Sequence, residues 1–356
     1  MKSIAFICGS EPKTGIYNDG KALFDALTEL GFNVSWYQCS DRAIRVDIPL
    51  SKNIRGISFP NKIISMGINR FFIFPIKLRV LREEIVFLLD PTLVRIGSKK
   101  NTIVKVHDLR PLTKYRDKWL TTLMFRYAIP KVKKANHIIT TTNYIRDELI
   151  KLGFNEPKIH VVHDISAMPE DGEHWKISIE RIKNKEINLL YVATDRPYKR
   201  VTFFIQLAEM FSLKKLPIDY NFKLVSNLTK KTKIVVEKLS LKNLQVYSNV
   251  DDIQKIYRST DILLFPSLYE GFGLPPLEAL SMSIPVISSD IAPMREILGD
   301  AGILLPPEDL DLWKNSILSL SEAKAYEQAA RYSFERYVTM RKKRYKEDIF
   351  EIFSQA

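Results

Sequence analysis

The stretch 261–280 combines residue types that could bind an anion. An apolar run leads into a turn that contains Gly271 and Gly273, and Pro275 and Pro276 then suit the first turn of a helix. This order predicts a buried strand, a turn and a helix start. The N–H groups and the dipole of a helix start favour anions, so we expect an anion site at the carboxyl end of a parallel strand.

Two carboxylates flank this predicted anion site. Glu270 lies in the turn, and Glu278 lies about one turn inside the helix, where the tilt of helical side chains directs it back towards the turn. Carboxylate oxygens accept hydrogen bonds from the paired hydroxyls of a sugar or ribose, so the ligand is expected to be both a phosphate and a polyol, such as a nucleotide-sugar. The alternative is that Glu270 is a turn residue and Glu278 complements the helix dipole.

A diphosphate beside two carboxylates would also need cations. The predicted strand 188–193 leads directly into a basic loop with Arg196, Lys199 and Arg200. Arginine offers a fork for phosphate oxygens and lysine a compact point charge, so Arg196 and Lys199 are candidates for neutralising the leaving phosphates. The alternative interpretation is an ordinary solvated basic loop.

Short β-rich runs alternate with helical patterns along the chain, and this alternation predicts parallel sheets. In the first half the predicted strands are 4–8, 34–37, 85–89, 102–106, 138–141 and 159–162. In the second half they are 188–193, 222–226, 245–247, 261–265, 285–288 and 302–305. The polar stretch 166–173 is typical of a linker, so we expect an α/β domain over 1–167, a second over 168–335, and a basic amphipathic helix over 336–356.

The length of the chain supports two domains, since 356 residues exceed the ~250–300 at which a single core usually stops growing.

The net charge of +13, from 54 Lys and Arg against 41 Asp and Glu, favours a polyanionic partner: a nucleic acid, an anionic membrane or a phosphorylated substrate. Cys8 and Cys39 are too few for a disulfide framework, which favours a reducing, cytoplasmic setting.

The first apolar run is expected to be a strand and not a signal peptide, and no apolar run reaches the ~18–20 residues that span a bilayer. The segment 62–82 mixes bulky apolar residues with cations. It predicts peripheral attachment to an anionic membrane surface, at the inner face of the plasma membrane, near a lipid or lipid-linked acceptor. A core helix with a basic outer face is the equal alternative.

The segments described so far resemble the retaining family 4 glycosyltransferases of the GT-B fold. Their C-terminal signature is matched by Glu270–Glu278, followed by Pro285–Asp290 and Glu296–Ala301. Further similar segments are Asp251–Asp261, Tyr198–Arg200 as the basic phosphate-binding motif, and Val106–Leu109 with Pro111–Leu112 as the His-Asp-Leu turn. The resemblance covers most of the chain and is densest from about 188 to 306.

The resemblance implies a fold of two facing Rossmann-like domains, with a cleft between them and a last helix that crosses back to the first domain. It also implies roles at matching positions. Glu270, with Gly271, Phe272, Gly273 and Leu274, would hold the donor sugar, and Glu278 would bind the ribose. Lys199 and Arg196 would hold the diphosphate, Val250 would lie against the base, Gly15 would let the first domain approach the phosphate, and His107 would reach the sugar.

The implied reaction moves a hexose from a UDP- or GDP-linked sugar to a saccharide or lipid-linked acceptor with retention. The leaving phosphate would itself accept the acceptor's proton, so no metal and no cofactor is expected. His160 and His163 are the closest histidine pair, but no convergent third ligand is visible. Two alternatives stay open: a nucleic-acid- or membrane-binding protein without transferase activity, for which no recognised basic module is present, and a phosphorylase-like enzyme with another acceptor.

Overall fold

The computed structural model describes residues 2–12, 14–40, 47–48, 51–58, 68–78, 81–93, 101–116, 119–166, 168–213, 216–341 and 345–356. The chain divides into two compact units, Met1–Ile165 with Arg344–Ala356 (unit 1) and Ser166–Lys343 (unit 2). Each unit contains one sheet, of seven strands in unit 1 and six in unit 2, and all the paired strands run parallel.

The sheet of unit 1 has the order β3-β2-β1-β4-β5-β6-β7. Its strands are β1 Ser3–Cys8, β2 Asn33–Ser40, β3 Lys52–Arg55, β4 Ile85–Leu88, β5 Asn101–Val106, β6 His137–Thr140 and β7 Ile159–Val161. Its described helices are α1 Gly15–Glu29, α2 Phe74–Leu78, α3 Trp119–Val132, α4 Asn143–Lys151 and, from the end of the chain, α13 Tyr345–Gln355. The first six strands follow the 3-2-1-4-5-6 order of a Rossmann sheet.

The start of α1 depends on Thr14, whose hydroxyl accepts a hydrogen bond from the Tyr17 N–H at 3.3 Å. Gly20 then lets the helix approach the sheet closely, because a Cβ atom there would lie only 2.3 Å from the Leu89 side chain. Asn18, Asp19 and Gly20 are poor helix formers, so local propensity alone favours a helix start near residue 21. Packing against the sheet overrides that local preference.

Apolar side chains cover both faces of the unit 1 sheet. On one face, Phe6 stacks on Trp36 with their ring centroids 4.7 Å apart. The last helix packs on the same face, where Phe353 lies 5.6 Å from Phe87 between ring centroids. Residues from the end of the chain therefore complete the core of unit 1.

The sheet of unit 2 has the order β10-β9-β8-β11-β12-β13, which is again the Rossmann order. Its strands are β8 Glu186–Val192, β9 Asp219–Val225, β10 Leu244–Tyr247, β11 Ile262–Phe265, β12 Val286–Ser289 and β13 Ile303–Leu305. Its described helices are α5 Trp175–Lys183, α6 Val201–Ser212, α7 Lys230–Leu239, α8 Ile253–Arg258, α9 Leu274–Ser281, α10 Ala292–Leu298, α11 Leu310–Ser319 and α12 Ala323–Arg341.

Asp261 connects several elements of unit 2 just before β11. Its carboxylate accepts a hydrogen bond from the Asn188 backbone N–H at 2.8 Å and pairs with the Arg181 guanidinium at 2.9 Å. Its carbonyl oxygen accepts the hydroxyl of Tyr326 on α12 at 2.7 Å. Because a buried carboxylate is costly without partners, these contacts fix α5, β8 and α12 around the start of β11.

The predicted pair of Rossmann-like parallel sheets is confirmed, and the predicted strands agree with observed ones to within a few residues. The prediction missed β3, because Lys52–Arg55 is a short polar strand at the sheet edge with no apolar alternation. The segment 336–356, predicted as one helix, contains the end of α12 and all of α13, and residues 342–344 lie outside the described part. Within the described ranges, no helix has the length and apolar character needed to span a bilayer.

A charged cluster lies inside unit 1. The ammonium of Lys105, the fifth of the six residues of β5, contacts Asp19 Oδ1 at 2.7 Å and Asp164 Oδ1 at 2.9 Å, and all three side chains are almost fully buried. Burial by itself lowers the pKa of Lys105, but the charges of Asp164 and Asp19 outweigh it and raise that pKa above its usual value. Burial and the Asp19 charge raise the pKa of Asp164 to about 6.

We predict that Lys105→Met destabilises unit 1 by ~3–5 kcal/mol, because it leaves two buried carboxylates without their cation. Scanning calorimetry should show a lowered unfolding transition. The matched control is Lys21→Met, which removes the lysine of the exposed Lys21–Asp47 pair and should cost ~1 kcal/mol or less. Adding Asp19→Asn and Asp164→Asn to the Lys105→Met variant should recover stability. Equal costs for the two lysine variants would contradict the prediction.

Candidate functional site

The candidate site of unit 2 lies at the point where the strand order of its sheet reverses. There β8 and β11 are neighbours, and the chain leaves their carboxyl ends into the loops 193–200 and 266–273. In an open parallel sheet, successive crossovers from such a point go to opposite faces and leave a crevice outside the strand ends. All the predicted unit 2 site residues except Val250 and Glu278 are in these two loops or at Leu274, directly after them.

Lys199 and Glu270 meet between these two loops. The Lys199 ammonium lies 2.5 Å from Oε1 and 2.7 Å from Oε2 of Glu270, so it contacts both carboxylate oxygens. The side chains are only 18% and 10% exposed. In such a setting solvent and salt screen the attraction between the two charges less than they do for a surface pair. The contact joins two residues that the sequence analysis assigned to one donor site.

The backbone of Lys199 is also anchored. Lys199 ends the 3₁₀ turn Pro197–Lys199, and its carbonyl oxygen accepts the buried hydroxyl of Tyr191 from β8. The Leu268 N–H donates to the Tyr198 carbonyl at 2.8 Å and joins the two loops directly. Burial raises the pKa of Tyr191 well above its usual value, so the phenol stays protonated and able to donate. Lys199 is therefore held at two points: at its backbone by Tyr191, and at its ammonium by Glu270.

Gly273 sets the path of the second loop into α9. Its φ of 121° lies in a region that side chains disfavour, and a Cβ atom there would lie 2.6 Å from Met294 Cε. The helix starts at Leu274, followed by Pro275 and Pro276. Because proline has no N–H, two of the usual four free donors are missing at this helix start. An anion here would depend more strongly on a side-chain cation such as Lys199.

Glu278 is held by Tyr257 from α8. The Tyr257 hydroxyl donates to Glu278 Oε2 at 2.6 Å. Burial raises the pKa of Glu278, and the hydrogen bond from Tyr257 opposes that rise. The second carboxylate of the site is therefore fixed on α9, while its other oxygen, Oε1, can accept a further donor such as a ligand hydroxyl.

The remaining unit 2 candidates differ in burial. Gly271 and Phe272 are buried, Leu274 is half-buried at the start of α9, and the side chain of Arg196 is exposed. Val250 is half-buried beyond the end of β10, packed against the unit 2 core. Arg196 also precedes the turn that carries Lys199, so it lies in the same loop. The donor-binding roles of these residues stay predictions.

The two unit 1 candidates are related through α1. Gly15 is the first residue of α1, and Asp19, one turn further, places Oδ2 3.7 Å from Nε2 of His107. His107 follows β5, two residues after Lys105. Burial, followed by the Lys105 charge, lowers the pKa of His107 to about 4. His107 is therefore neutral at physiological pH and can accept or donate a hydrogen bond without carrying charge.

Asp19, His107 and Asp164 also form a group of side chains with metal-ligand chemistry, and their ligand atoms lie within 4.8 Å of one another. The Lys105 ammonium, however, already contacts both carboxylates. A resident cation thus balances their charge, and the site does not fit a metal ion while Lys105 is in place.

The family model of the glycosyl transferases group 1 matches residues 175–336. This segment contains Lys199, Glu270, Glu278 and the loops that position them. Over this segment, which is just under half of the chain, the protein is similar to the glycosyl transferases group 1 family. The unit 1 candidates Gly15 and His107 precede the matched segment, so their roles depend on the resemblance of shorter motifs.

Two relatives of this chain are named as mannosyltransferases. The O-antigen chain mannosyltransferase RfbU of Salmonella typhimurium is 26% identical over 269 residues, which are 68% of this chain and 72% of that protein. The O-antigen chain mannosyltransferase B of Escherichia coli is 25% identical over 277 residues, 69% of this chain and 70% of that protein.

Solved structures share the fold of this chain. HepE of Anabaena, crystallised in complex with UDP and glucose, has a TM-score of 0.76 at 14% identity, with full coverage of both chains. Sucrose-phosphate synthase of Thermosynechococcus elongatus has a TM-score of 0.73 at 16% identity, covering 100% of this chain and 98% of that one. At this identity the likeness concerns the fold alone, and it confirms the predicted GT-B class.

Sequence reasoning missed the residues that hold the site in place. Tyr257 supports Glu278 from 21 positions away, and Tyr191 supports the backbone of Lys199, but neither spacing carries a local signal. The Lys105 cluster did leave a signal. A lysine inside an otherwise buried strand indicates that buried carboxylates lie nearby, because an unpaired buried ammonium is costly.

We predict that Tyr257→Phe costs ~1.5–3 kcal/mol of unit 2 stability, since it removes a hydrogen bond to a buried carboxylate. It should also raise the pKa of Glu278 further. The control is Tyr247→Phe, whose hydroxyl bonds Gln245 in an exposed pair. Thermal unfolding should separate the two variants, and adding Glu278→Gln should abolish most of the Tyr257→Phe effect. Equal melting of Tyr257→Phe and wild type would rule out this role for the hydroxyl.

We predict that His107 titrates with a pKa of about 4 in the folded protein. Because this value lies below the ordinary value of 6.5, His107 contributes stability above pH 6.5 that is lost as the pH falls through 4. Histidine-selective NMR, with the signal assigned by His107→Gln, should show no change between pH 7 and 5.5. A midpoint near 6.5 would contradict the burial argument.

Proposed function

We propose that this protein is a hexosyltransferase that uses a UDP- or GDP-linked sugar and retains the anomeric configuration of the donor. The observation that carries the proposal is the contact of Lys199 with both oxygens of Glu270, at the strand-order reversal of unit 2. A fixed cation and a fixed carboxylate side by side suit a diphosphate joined to a sugar.

We assign each part of the proposed donor to the site residues whose chemistry suits it. Lys199, with Arg196 from the same loop, neutralises the diphosphate. Glu270 accepts hydrogen bonds from the sugar hydroxyls, and backbone N–H groups of 271–274 donate to them. Glu278 accepts from the ribose hydroxyls through the oxygen that is not bonded to Tyr257. Val250 lies against the base. In unit 1, Gly15 and neutral His107 are the proposed phosphate-side and sugar contacts.

The proposed reaction breaks the bond between the anomeric carbon and the phosphate oxygen, and forms a bond from that carbon to the acceptor oxygen on the same face. The acceptor's proton goes to the leaving phosphate. Negative charge grows on that phosphate, so Lys199 stabilises the transition state more than the ground state. No metal ion or cofactor takes part in this scheme.

The names of the relatives support a first choice of sugar and acceptor class. The two O-antigen chain enzymes are mannosyltransferases, so mannose is the first sugar to test, with a saccharide or lipid-linked saccharide as acceptor. HepE was crystallised with UDP and glucose, so UDP and GDP donors both belong in the screen. Family likeness does not decide among them, because substrate choice depends on individual side chains.

We predict that Lys199→Ala weakens binding of the preferred nucleotide about 10- to 150-fold, because a charge-assisted hydrogen bond contributes ~1.5–3 kcal/mol. Glu270 then stays near the diphosphate without its cation, so adding Glu270→Gln should partly restore affinity for the nucleotide. The matched control is Lys183→Ala, which removes an exposed lysine of α5 and should leave binding unchanged. Calorimetric titration with UDP, GDP and ADP measures the nucleotide affinity of all three variants.

Product analysis tests the reaction itself. Transfer from GDP-mannose or UDP-glucose to a saccharide primer should give a product with the donor's anomeric configuration by NMR, and EDTA should leave the rate unchanged. Inversion would overturn the retaining mechanism, and loss of activity with EDTA would overturn metal independence. Release of a sugar phosphate in the presence of inorganic phosphate would favour a phosphorylase, and binding of nucleic acid with no nucleotide response would reject the transferase.

A further inference from the structure

Helix α3, Trp119–Val132, exposes an apolar stripe. Trp119 is 75% exposed, Leu123 49% and Tyr127 42%, and they follow each other at intervals of four residues. At about 100° per residue, this spacing places all three on one side of the helix. The buried residues Met124, Ala128 and Val132 occupy the opposite side, and Ala128 and Val132 pack in the core of unit 1.

Cations flank the stripe. Arg126 is exposed, and the same angular count places it close to Trp119 on the outer side of α3. Lys133 and Lys134, also exposed, follow directly after the end of the helix, and the Lys133 ammonium lies 5.4 Å from the ring centroid of Phe154. Pro130, also exposed, lies between Trp119 and Leu123 in projection. The outer face thus consists of an aromatic and aliphatic centre with a basic border, and we call these residues (Trp119, Leu123, Arg126, Tyr127, Pro130, Lys133 and Lys134) the α3 face.

Between Asp117 and Asp147 the sequence that contains this face has charges of one sign only. From Lys118 to Arg146 the sequence contains six Lys and Arg and no Asp or Glu. At the scale of the units, unit 1 has 29 Lys and Arg against 18 Asp and Glu, and unit 2 has 25 against 23. Unit 1 therefore has a formal charge of +11 out of the total of +13. An anionic surface would be attracted to unit 1 in particular.

We propose that the α3 face docks α3 in the plane of an anionic lipid surface. Tryptophan and tyrosine have apolar rings with one polar tip and suit the lipid headgroup region, and lysine and arginine can extend their charged ends to phosphates from the same depth. A bilayer surface supplies both an apolar boundary for the exposed tryptophan and negative charge for its basic neighbours. The proposal does not depend on the proposed transferase activity.

This assignment moves the membrane contact away from the segment 62–82. Of that segment, the structure describes residues 68–78 and 81–82. Phe74 is buried in the unit 1 core, and the Lys77 ammonium donates to the Arg55 carbonyl at 2.6 Å, so this part is engaged within the unit, although Ile76 is exposed. The α3 face instead directs its apolar side chains to solvent.

A second copy of this chain is the rival occupant. Stable protein interfaces bury ~800 Å² per partner and deplete lysine at their centre. The α3 face is one stripe with a basic border, and two copies would bring like charges together. Charge complementarity therefore favours the lipid surface.

The test is co-sedimentation of the full chain with vesicles. One set contains phosphatidylcholine alone, and the other contains phosphatidylcholine with 30% phosphatidylglycerol. We expect binding to the second set only, decreasing with salt. Replacing Arg126, Lys133 and Lys134 by Gln should weaken partitioning more than tenfold, since each basic residue near an anionic surface contributes roughly a fivefold effect. Trp119→Ala with Leu123→Ala should also weaken it more than tenfold, because both side chains enter the interface.

Matched controls lie in unit 2. Replacing Lys230, Lys231 and Lys233 by Gln removes the same charge from exposed positions of α7, and Leu213→Ala removes an apolar side chain that is 80% exposed. Neither should change partitioning, and all variants should melt like wild type because the replaced side chains are exposed. Equal binding to both vesicle sets, or equal losses from the α3 and α7 variants, would overturn the proposal. So would a dimer in analytical ultracentrifugation that Leu123→Ala dissociates.

Discussion

The strand order of the two parallel sheets is the constraint on which the rest of this structure depends. In each unit the order 3-2-1-4-5-6 reverses between the first and fourth strands, and the loops after these strands meet outside the sheet. In unit 2 those loops carry Lys199 and Glu270, which are 71 residues apart in sequence yet form a two-point contact. In unit 1 the loop after the first strand leads into α1, which carries Asp19 to the neighbourhood of His107.

The charges of Lys105, Asp261 and Lys199 each have a partner of opposite charge. Lys105 is matched by two carboxylates, and Asp261 by a guanidinium and a backbone N–H. Lys199 and Glu270 are paired in the same way, although they are slightly more exposed. The first two groups lie against strands and hold elements together, whereas the last lies at the end of strands, where a ligand can reach it. Position relative to the sheet, and not the pairing itself, separates the structural groups from the candidate site.

The two units also differ in their surface chemistry. Unit 2 is almost electrically balanced and contains the segment that matches the glycosyl transferases group 1 family. Unit 1 holds most of the positive charge and the exposed stripe of α3. A division of this kind suits an enzyme in which one unit binds a soluble nucleotide-sugar and the other is adapted to an acceptor at an anionic surface, the two proposals that the structure supports.

Local sequence determined the elements and much of the site chemistry. Apolar β-rich runs determined twelve of the thirteen described strands, and the turn from Glu270 to Glu278 indicated phosphate and hydroxyl recognition, because the residue types and their spacing are sufficient for such inferences. Tertiary structure alone decided that Lys199 contacts Glu270, that Tyr257 holds Glu278, and that Trp119 faces solvent while Met124 is buried. These are contacts across long sequence separations or choices between helix faces. They depend on how the sheet brings distant loops together and on which side of a helix the core covers, which no local pattern specifies.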